Sequence, residues 1–285
     1  MPRIVLPGQT LTRALPLFRS ARKRGGLIEL EAVTGCSAGP TYHWRADTLD
    51  PLIPDQTELT KPTYGWVDRI ASNEAFNNTA GFGPIYMQAS GSGGSSPFDA
   101  PCIYFNGPNT STFTNARQFA TLDTNIALTN PNYSCLVIGR VVQAGSLLGD
   151  ANLTINTSHM VFQDPTQEVI GLSGSSASIT YNNVSNGDAP PLNSYLAVAV
   201  GGENGGGNGS AYQNNRLTAN AEGTFNQTLT LTRLGRDRVS YGSVPFAEWY
   251  CLDIAVYETT ALTRACMAAI YEEYVKPRYP FVTDI

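Results

Sequence analysis

Glu248-Trp249-Tyr250-Cys251-Leu252-Asp253-Ile254-Ala255-Val256-Tyr257 is the stretch on which the fold turns. Trp249, Cys251, Ile254, Val256 and Tyr257 supply bulk, and no Gly or Pro interrupts them. That is the composition of a long strand. The period then changes. From Thr263 onward, Cys266, Met267, Ile270, Tyr271 and Tyr274 recur at helical offsets. The pattern predicts a helix over 263–276, with Thr263 as N-cap, Glu272 and Glu273 facing water, and Pro277 as its stop. One helix after the last strand is expected to lie on the strands or to cover a sheet edge.

Further back, 133–142 reads as a nearly continuous buried strand, and 147–149, 160–162, 169–172, 195–200 and 229–235 as others. A loop with six glycines fills 201–209. Nearer the N-terminus, 27–33 alternates apolar and polar residues like a half-buried strand. Short apolar runs follow at 42–47, 65–69 and 102–107, the last closed by an Asn106-Gly107 turn, with a Gly/Ser loop at 90–96 between them. Many short strands joined by Gly, Asn and Pro turns suggest a sandwich or a barrel. The composition agrees: of 285 residues, 14% are charged, 10% are aromatic and 27 are Gly. That excludes a coiled coil, a helical bundle and intrinsic disorder. A chain of this length can bury a core without a disulfide or a metal. No apolar run approaches the ~20 residues that span a bilayer, and no cleavable export signal is recognised, so a soluble protein is expected.

Charge divides the chain. Residues 1–26 carry Arg3, Arg13, Arg19, Arg22, Lys23 and Arg24 and no acid, whereas the rest has 12 basic against 23 acidic residues. Interrupted by Pro2, Pro7 and Pro16, the segment reads as an extended arm, with Gly25-Gly26 as a hinge to the body at 27–285. Its Ile4, Val5, Leu6, Leu15, Leu17 and Phe18 would fill apolar pockets on a partner. Such spacing favours a protein partner over nucleic acid.

The five cysteines, 36, 102, 135, 251 and 266, contain no C-x-x-C pair, and buried reduced thiols are the expectation. The two histidines, His43 and His159, stand in separate segments, which argues for packing or surface roles. No Asp/Asn cluster of calcium-loop type stands out, so neither metal nor cofactor is expected.

The ending then brings a family to the fore. Ala247 to Tyr257, Ala261-Leu262-Thr263 and Tyr271-Glu272-Glu273-Tyr274-Val275-Lys276-Pro277-Arg278-Tyr279 resemble the closing module of concanavalin A-like (laminin-G-type) jelly rolls found in phage and bacterial proteins. Trp44-Arg45-Ala46-Asp47, Trp66-Val67-Asp68, Pro84-Ile85-Tyr86 and 103–107 resemble that family's opening more loosely, and 196–200 and 211–215 its middle. The resemblance implies an all-β jelly-roll sandwich of two antiparallel sheets, with the C-terminal helix and the N-terminal arm appended.

Activity is a separate matter, because sites are grafted onto such folds. Sandwich glycosidases need two or three carboxylates on one strand face. Here Glu29-Leu30-Glu31 is the nearest approach, while Glu248 and Asp253 would face opposite sides of a regular strand. No enzyme is expected. The resemblance implies instead a structural protein of a tailed-phage virion, in capsid decoration or tail and fibre attachment. Its arm (Arg3, Ile4, Leu6, Arg13, Leu17, Phe18, Arg19, Arg22, Lys23 and Arg24) would dock on other virion proteins, and a homo-oligomer assembled in the host cytoplasm is expected. The rival is a module that binds a host glycan through the loop residues Asn106, Asn109, Glu203, Asn204 and Asn208 together with Tyr212.

Overall fold

The structure is a computed structural model. It describes residues 27–60, 64–77, 79, 81–107, 118–128, 132–143, 145–149, 159–164, 169–173, 195–202, 209–213, 216–220, 229–235 and 247–282, with the backbone alone for 145–146, 159–220 and 229. The basic arm, residues 1–26, lies outside the described residues.

The strands run β1 (Tyr42–Arg45), β2 (Thr57–Glu58), β3 (Trp66–Val67), β4 (Glu74–Phe76), β5 (Ile85–Met87), β6 (Cys102–Phe105), β7 (Ala120–Leu128) and β8 (Ser134–Gln143). They continue as β9 (Gly145–Gly149), β10 (His159–Asp164), β11 (Val169–Ser173), β12 (Tyr195–Gly202), β13 (Gly209–Gln213), β14 (Arg216–Asn220), β15 (Leu229–Leu234) and β16 (Glu248–Tyr257). Among the described residues they form two antiparallel sheets. The larger has the order β14-β13-β12-β8-β16-β6-β5-β2, with β1 also on β16, and the smaller β11-β10-β9-β15-β7-β4-β3. A β-sandwich results, as expected for a jelly roll.

The two sheets meet over a core that includes Trp44, Trp66, Phe105, Tyr133, Val137, Leu148, Leu231, Trp249, Ile254 and Val256. Trp249 stacks on Phe105 with ring centroids 5.0 Å apart. β16 is the centre of the larger sheet. Along one edge it pairs with β8; along the other, β6 takes residues 249–251 and β1 takes 253–256.

Between those two partners the register slips. Cys251 lies opposite Gly139 and Asp253 opposite Ile138, so Leu252 is an extra residue, a β-bulge. The inserted residue resets the alternation. Leu252 packs away from the inter-sheet core while Cys251 and Ile254 point into it, and Asp253 also turns outward, toward the C-terminal helix. Glu248 and Asp253 therefore share the outer face, contrary to the opposite faces that a regular strand predicts. The bulge also crowds β8: a Cβ added at Gly139 would stand 2.2 Å from the Tyr250 carbonyl oxygen.

A second layer covers that outer face. Leu136, Ile138, Leu252, Ala255 and Tyr257 of the sheet pack against Met267, Ile270, Tyr271, Tyr274 and Val275 of the helical segment, with Leu30, Val33 and Phe98 closing the sides. Full burial of each large side chain is worth about 1.5–3 kcal/mol, so this layer is a true second core. The helix begins as α1 (Arg264–Ala269), widens to a π-helix over Ile270–Val275 and ends as α2 (Lys276–Arg278). Thr263 caps it as expected, its hydroxyl accepting from the Cys266 N–H at 3.2 Å. Pro277 does not stop it but sits in the last turn.

Two other expectations fail here. Residues 27–33 are not a strand: Leu30–Ala32 forms a 3-10 turn, and Leu30 and Val33 plug the second core, because the apolar spacing serves one packed corner and not a pleat. Nor are all five cysteines reduced. Cys36 and Cys266 form a disulfide, and Cys102, Cys135 and Cys251 are free and buried. The two bridged positions lie 230 apart in the chain, so spacing alone does not reveal the pair. Closing so long a loop removes unfolded-state entropy worth about 5 kcal/mol.

The bulge supplies the first test. Gly139→Ala should force β8 and β16 apart and cost about 1–3 kcal/mol, the usual penalty for overpacking. A denaturant midpoint equal to that of the unaltered protein would show that the approach of β8 to the Tyr250 carbonyl is unimportant.

Candidate functional site

Two polar constellations sit on the outer face of the larger sheet, one sealed and one half open. The sealed one surrounds Asp253, which is 1% exposed. Its Oδ2 accepts from the Tyr274 hydroxyl at 2.6 Å and the Tyr279 hydroxyl at 3.0 Å. Its Oδ1 faces His43 Nε2 at 3.7 Å and Arg45 Nε at 3.9 Å. His43 and Arg45 come from β1, which shares an edge of β16, while both tyrosines come from the helical end of the chain.

Around this centre lies a rim of ion pairs. Arg45 Nη1 reaches Glu29 at 2.6 Å, Arg45 Nη2 reaches Asp47 at 2.5 Å, and Arg69 Nη1 reaches Glu29 at 3.0 Å. Arg278 lies 3.5 Å from Glu29 and 3.6 Å from Asp47. The carboxylates of this rim are about a third or more exposed, so solvent screens each pair.

The electrostatics follow from burial and partners. Burial works against charging the His43 imidazole, but hydrogen bonding to Asp253 and Glu31 outweighs it, and the pKa rises above its ordinary value. Burial likewise opposes ionisation of Asp253, yet His43 and Arg45 hold its carboxyl below the usual carboxylate value. Glu31 drops to about 2, with its own desolvation outweighed by His43 and Arg69. The Glu29/Glu31 pair is thus engaged by arginines and a histidine.

The half-open constellation lies beyond the helix cover. Ile85, Tyr104, Tyr250 and Arg140 are successive cross-strand partners on β5, β6, β16 and β8, and each is half-buried. Tyr104 and Tyr250 stack with centroids 4.7 Å apart and planes 27° from parallel. The Tyr104 hydroxyl donates to Glu248 Oε1 at 2.7 Å. Burial first, and the Glu248 carboxylate second, push the Tyr104 phenol well above its ordinary value, so it stays a neutral donor. Phe98 meets Tyr250 edge-on at 6.1 Å and stacks on Phe281 at 5.0 Å, extending the aromatic strip to the chain's end. Chemically this is a pair of stacked rings on β6 and β16, flanked by Ile85 and Arg140 and with the Glu248 carboxylate beside it.

Of the glycan residues expected from the sequence, only Asn106 is described with its side chain. Asn109, Glu203, Asn204 and Asn208 lie outside the described residues, as does the side chain of Tyr212, whose backbone pairs β13 with Ala199 and Leu217. Asn106 clamps a turn: its N–H donates to Gln118 Oε1 at 2.9 Å and its carbonyl accepts from the Gln118 N–H at 3.2 Å. The row that does form was visible only as Tyr104 and Tyr250 inside strand runs, where Tyr reads as core. Among the described residues, no group of three His, Cys, Asp or Glu is placed to hold a metal ion, and no helix is long and apolar enough to cross a membrane.

Neither a protein-family model nor a curated protein matches the chain. Solved structures do. Domain 4 of AbnA, a GH43 extracellular arabinanase from Geobacillus stearothermophilus solved with arabinotriose, aligns over 81% of this chain and 98% of its own at 13% identity and a TM-score of 0.50. Trypanosoma rangeli sialidase in complex with 2,3-difluorosialic acid aligns over 88% of this chain at 12% identity and a TM-score of 0.46. The chain spans about a third of that sialidase, 36% of its length. The arabinanase-domain likeness, at that identity, confirms the β-sandwich and stops there.

Titration should expose the sealed network. A raised His43 pKa means that its contribution to stability is complete below the unfolded value of about 6.5 and is lost as pH rises through the folded value. The depressed Asp253 acts oppositely, losing its contribution as pH falls through its folded value. Between pH 6 and 9 the denaturation midpoint of the wild type should fall, and in His43→Gln it should stay flatter; parallel profiles would remove His43 from the account.

Proposed function

We propose that the domain is a non-catalytic carbohydrate-binding module that works through the outer face of its larger sheet. The observation that carries this reading is the half-buried Tyr104–Tyr250 row with Glu248 and Arg140 beside it. Sugar rings present C–H faces that pack on aromatic surface and hydroxyls that pair with a carboxylate, and this face offers both. An ionised carboxylate accepts up to about four hydrogen bonds, of which Tyr104 supplies one to Glu248.

The spacing of the two carboxylates on β16 supports the non-catalytic reading. Glu248 and Asp253 share a face but stand five residues apart, roughly 16 Å along a strand. Glycosidase pairs are separated by about 5–9.5 Å. The arabinanase domain was solved in complex with arabinotriose, a sugar, in keeping with a carbohydrate for this chain.

Glycan-array profiling of the full chain should yield selective signals. Tyr104→Ala and Glu248→Gln should each weaken the best of them about tenfold, the equivalent of 1.4 kcal/mol. A silent array, or binding untouched by both variants, would defeat the assignment to this face.

A second reading rests on the charge split. Six basic residues without an acid in 1–26, joined to an acidic body, suit an arm that anchors the module on a multimeric particle such as a phage virion. The two readings are compatible: the arm would hold the module and the sheet would face the glycan. Deleting residues 2–24 should abolish incorporation into the particle while leaving glycan binding intact, and undiminished incorporation would refute the anchor.

A further inference from the structure

The disulfide joins the segment after the 3-10 turn to the C-terminal helix, at the edge of the second core. Cys36 follows the 3-10 turn of the N-terminal segment, and Cys266 lies in the first turn of the C-terminal helix. Beside the bridge, the Thr34 N–H donates to Glu273 at 3.0 Å, and the Thr34 hydroxyl donates to the same carboxylate. That pair is exposed and therefore weak. Inward of the bridge, Leu30 and Val33 enter the second core, and none of the residues that fill the inter-sheet core belongs to either bridged segment. The bridge is also reachable from solvent: Cys36 is half-buried, and its neighbours Gly35, Ser37, Ala38 and Gly39 are exposed.

We propose that Cys36–Cys266 is a redox-sensitive clasp that fastens the segment around 31–40 to the C-terminal helix, closed in an oxidising milieu and opened by a dithiol reductant. Opening begins when a reductant thiolate attacks the sulfur of the half-buried Cys36 and not that of the buried Cys266. The S–S bond breaks and the Cys266 thiolate leaves, taking up a proton. The reductant's second thiolate then attacks the mixed disulfide, releases Cys36 as a thiol and departs as a cyclic disulfide. Two electrons have passed from reductant to protein.

The other cysteines stay out of this exchange. Cys102, Cys135 and Cys251 are buried, and burial pushes the thiols of Cys102 and Cys135 up to about 12 and that of Cys251 well above its ordinary value. The closed form belongs to an extracellular, periplasmic or particle-surface setting, where disulfides persist. The clasp does not depend on the carbohydrate reading.

Alkylation of the folded chain, followed by intact-mass measurement, provides the test. No thiol should be modified before reduction, two after mild treatment with dithiothreitol, and five after reduction in denaturant. Hydrogen exchange on the reduced protein should quicken at least about tenfold over 31–40 and 264–269 and remain unchanged over β8 and β16, as a local opening requires. Cys36→Ser should reproduce that exchange map without reductant; should the variant fail to fold, the reduced wild type gives the same reading. Two thiols modified without reductant, an unchanged exchange map on reduction, or loss of protection throughout the sandwich would each overturn the clasp.

Discussion

The carboxylate of Asp253 is the point through which the outer layer is registered on the sheet. It lies in a bulge, takes hydrogen bonds from two tyrosines of the helical end, and faces His43 and Arg45 on the adjoining strand. Apolar packing alone would allow the helix to slide along the sheet at small cost, because dispersion is nearly non-directional. A buried charge with four named partners does not tolerate sliding, since every displaced partner leaves an unpaired group in a dry environment. The helix therefore has one position, and the Tyr279–Phe281 tail has one as well. Phe98, and through it Tyr250, is held in turn.

That chain of constraints explains why the open aromatic row is a rigid surface. Tyr250 is gripped from the side by Phe98 and from the front by Tyr104, while Glu248 fixes the Tyr104 hydroxyl. A ligand that packs there meets side chains with little rotamer freedom left to lose, and preorganisation of this kind favours affinity.

Much of this architecture could be read from residues alone. The strands at 133–142, 195–200, 229–235 and 248–257 and the N-cap at Thr263 follow from period and composition, which are local. What was illegible is non-local. Leu252 as an extra residue is invisible until β8 is laid beside β16, and with it the outward turn of Asp253. The 27–33 segment has strand alternation but no strand to pair with, and Leu30 and Val33 find burial in a corner. β7 escaped notice because Asp123, Thr124 and Asn125 interrupt its apolar alternation. The sequence points to Gly/Asn loops for a site, whereas the row that assembles is made of strand tyrosines that the sequence pattern assigns to packing.

The Arg278 guanidinium donates to the Ile28 carbonyl at 3.2 Å, so the first and last described parts of the sandwich are neighbours. A unit whose ends meet can be spliced into a surface loop of a host polypeptide without stretching it, and its ends can be rejoined and new ones opened elsewhere. Architecture of that kind makes the fold a portable cassette, transferable between scaffolds without redesign of the junction.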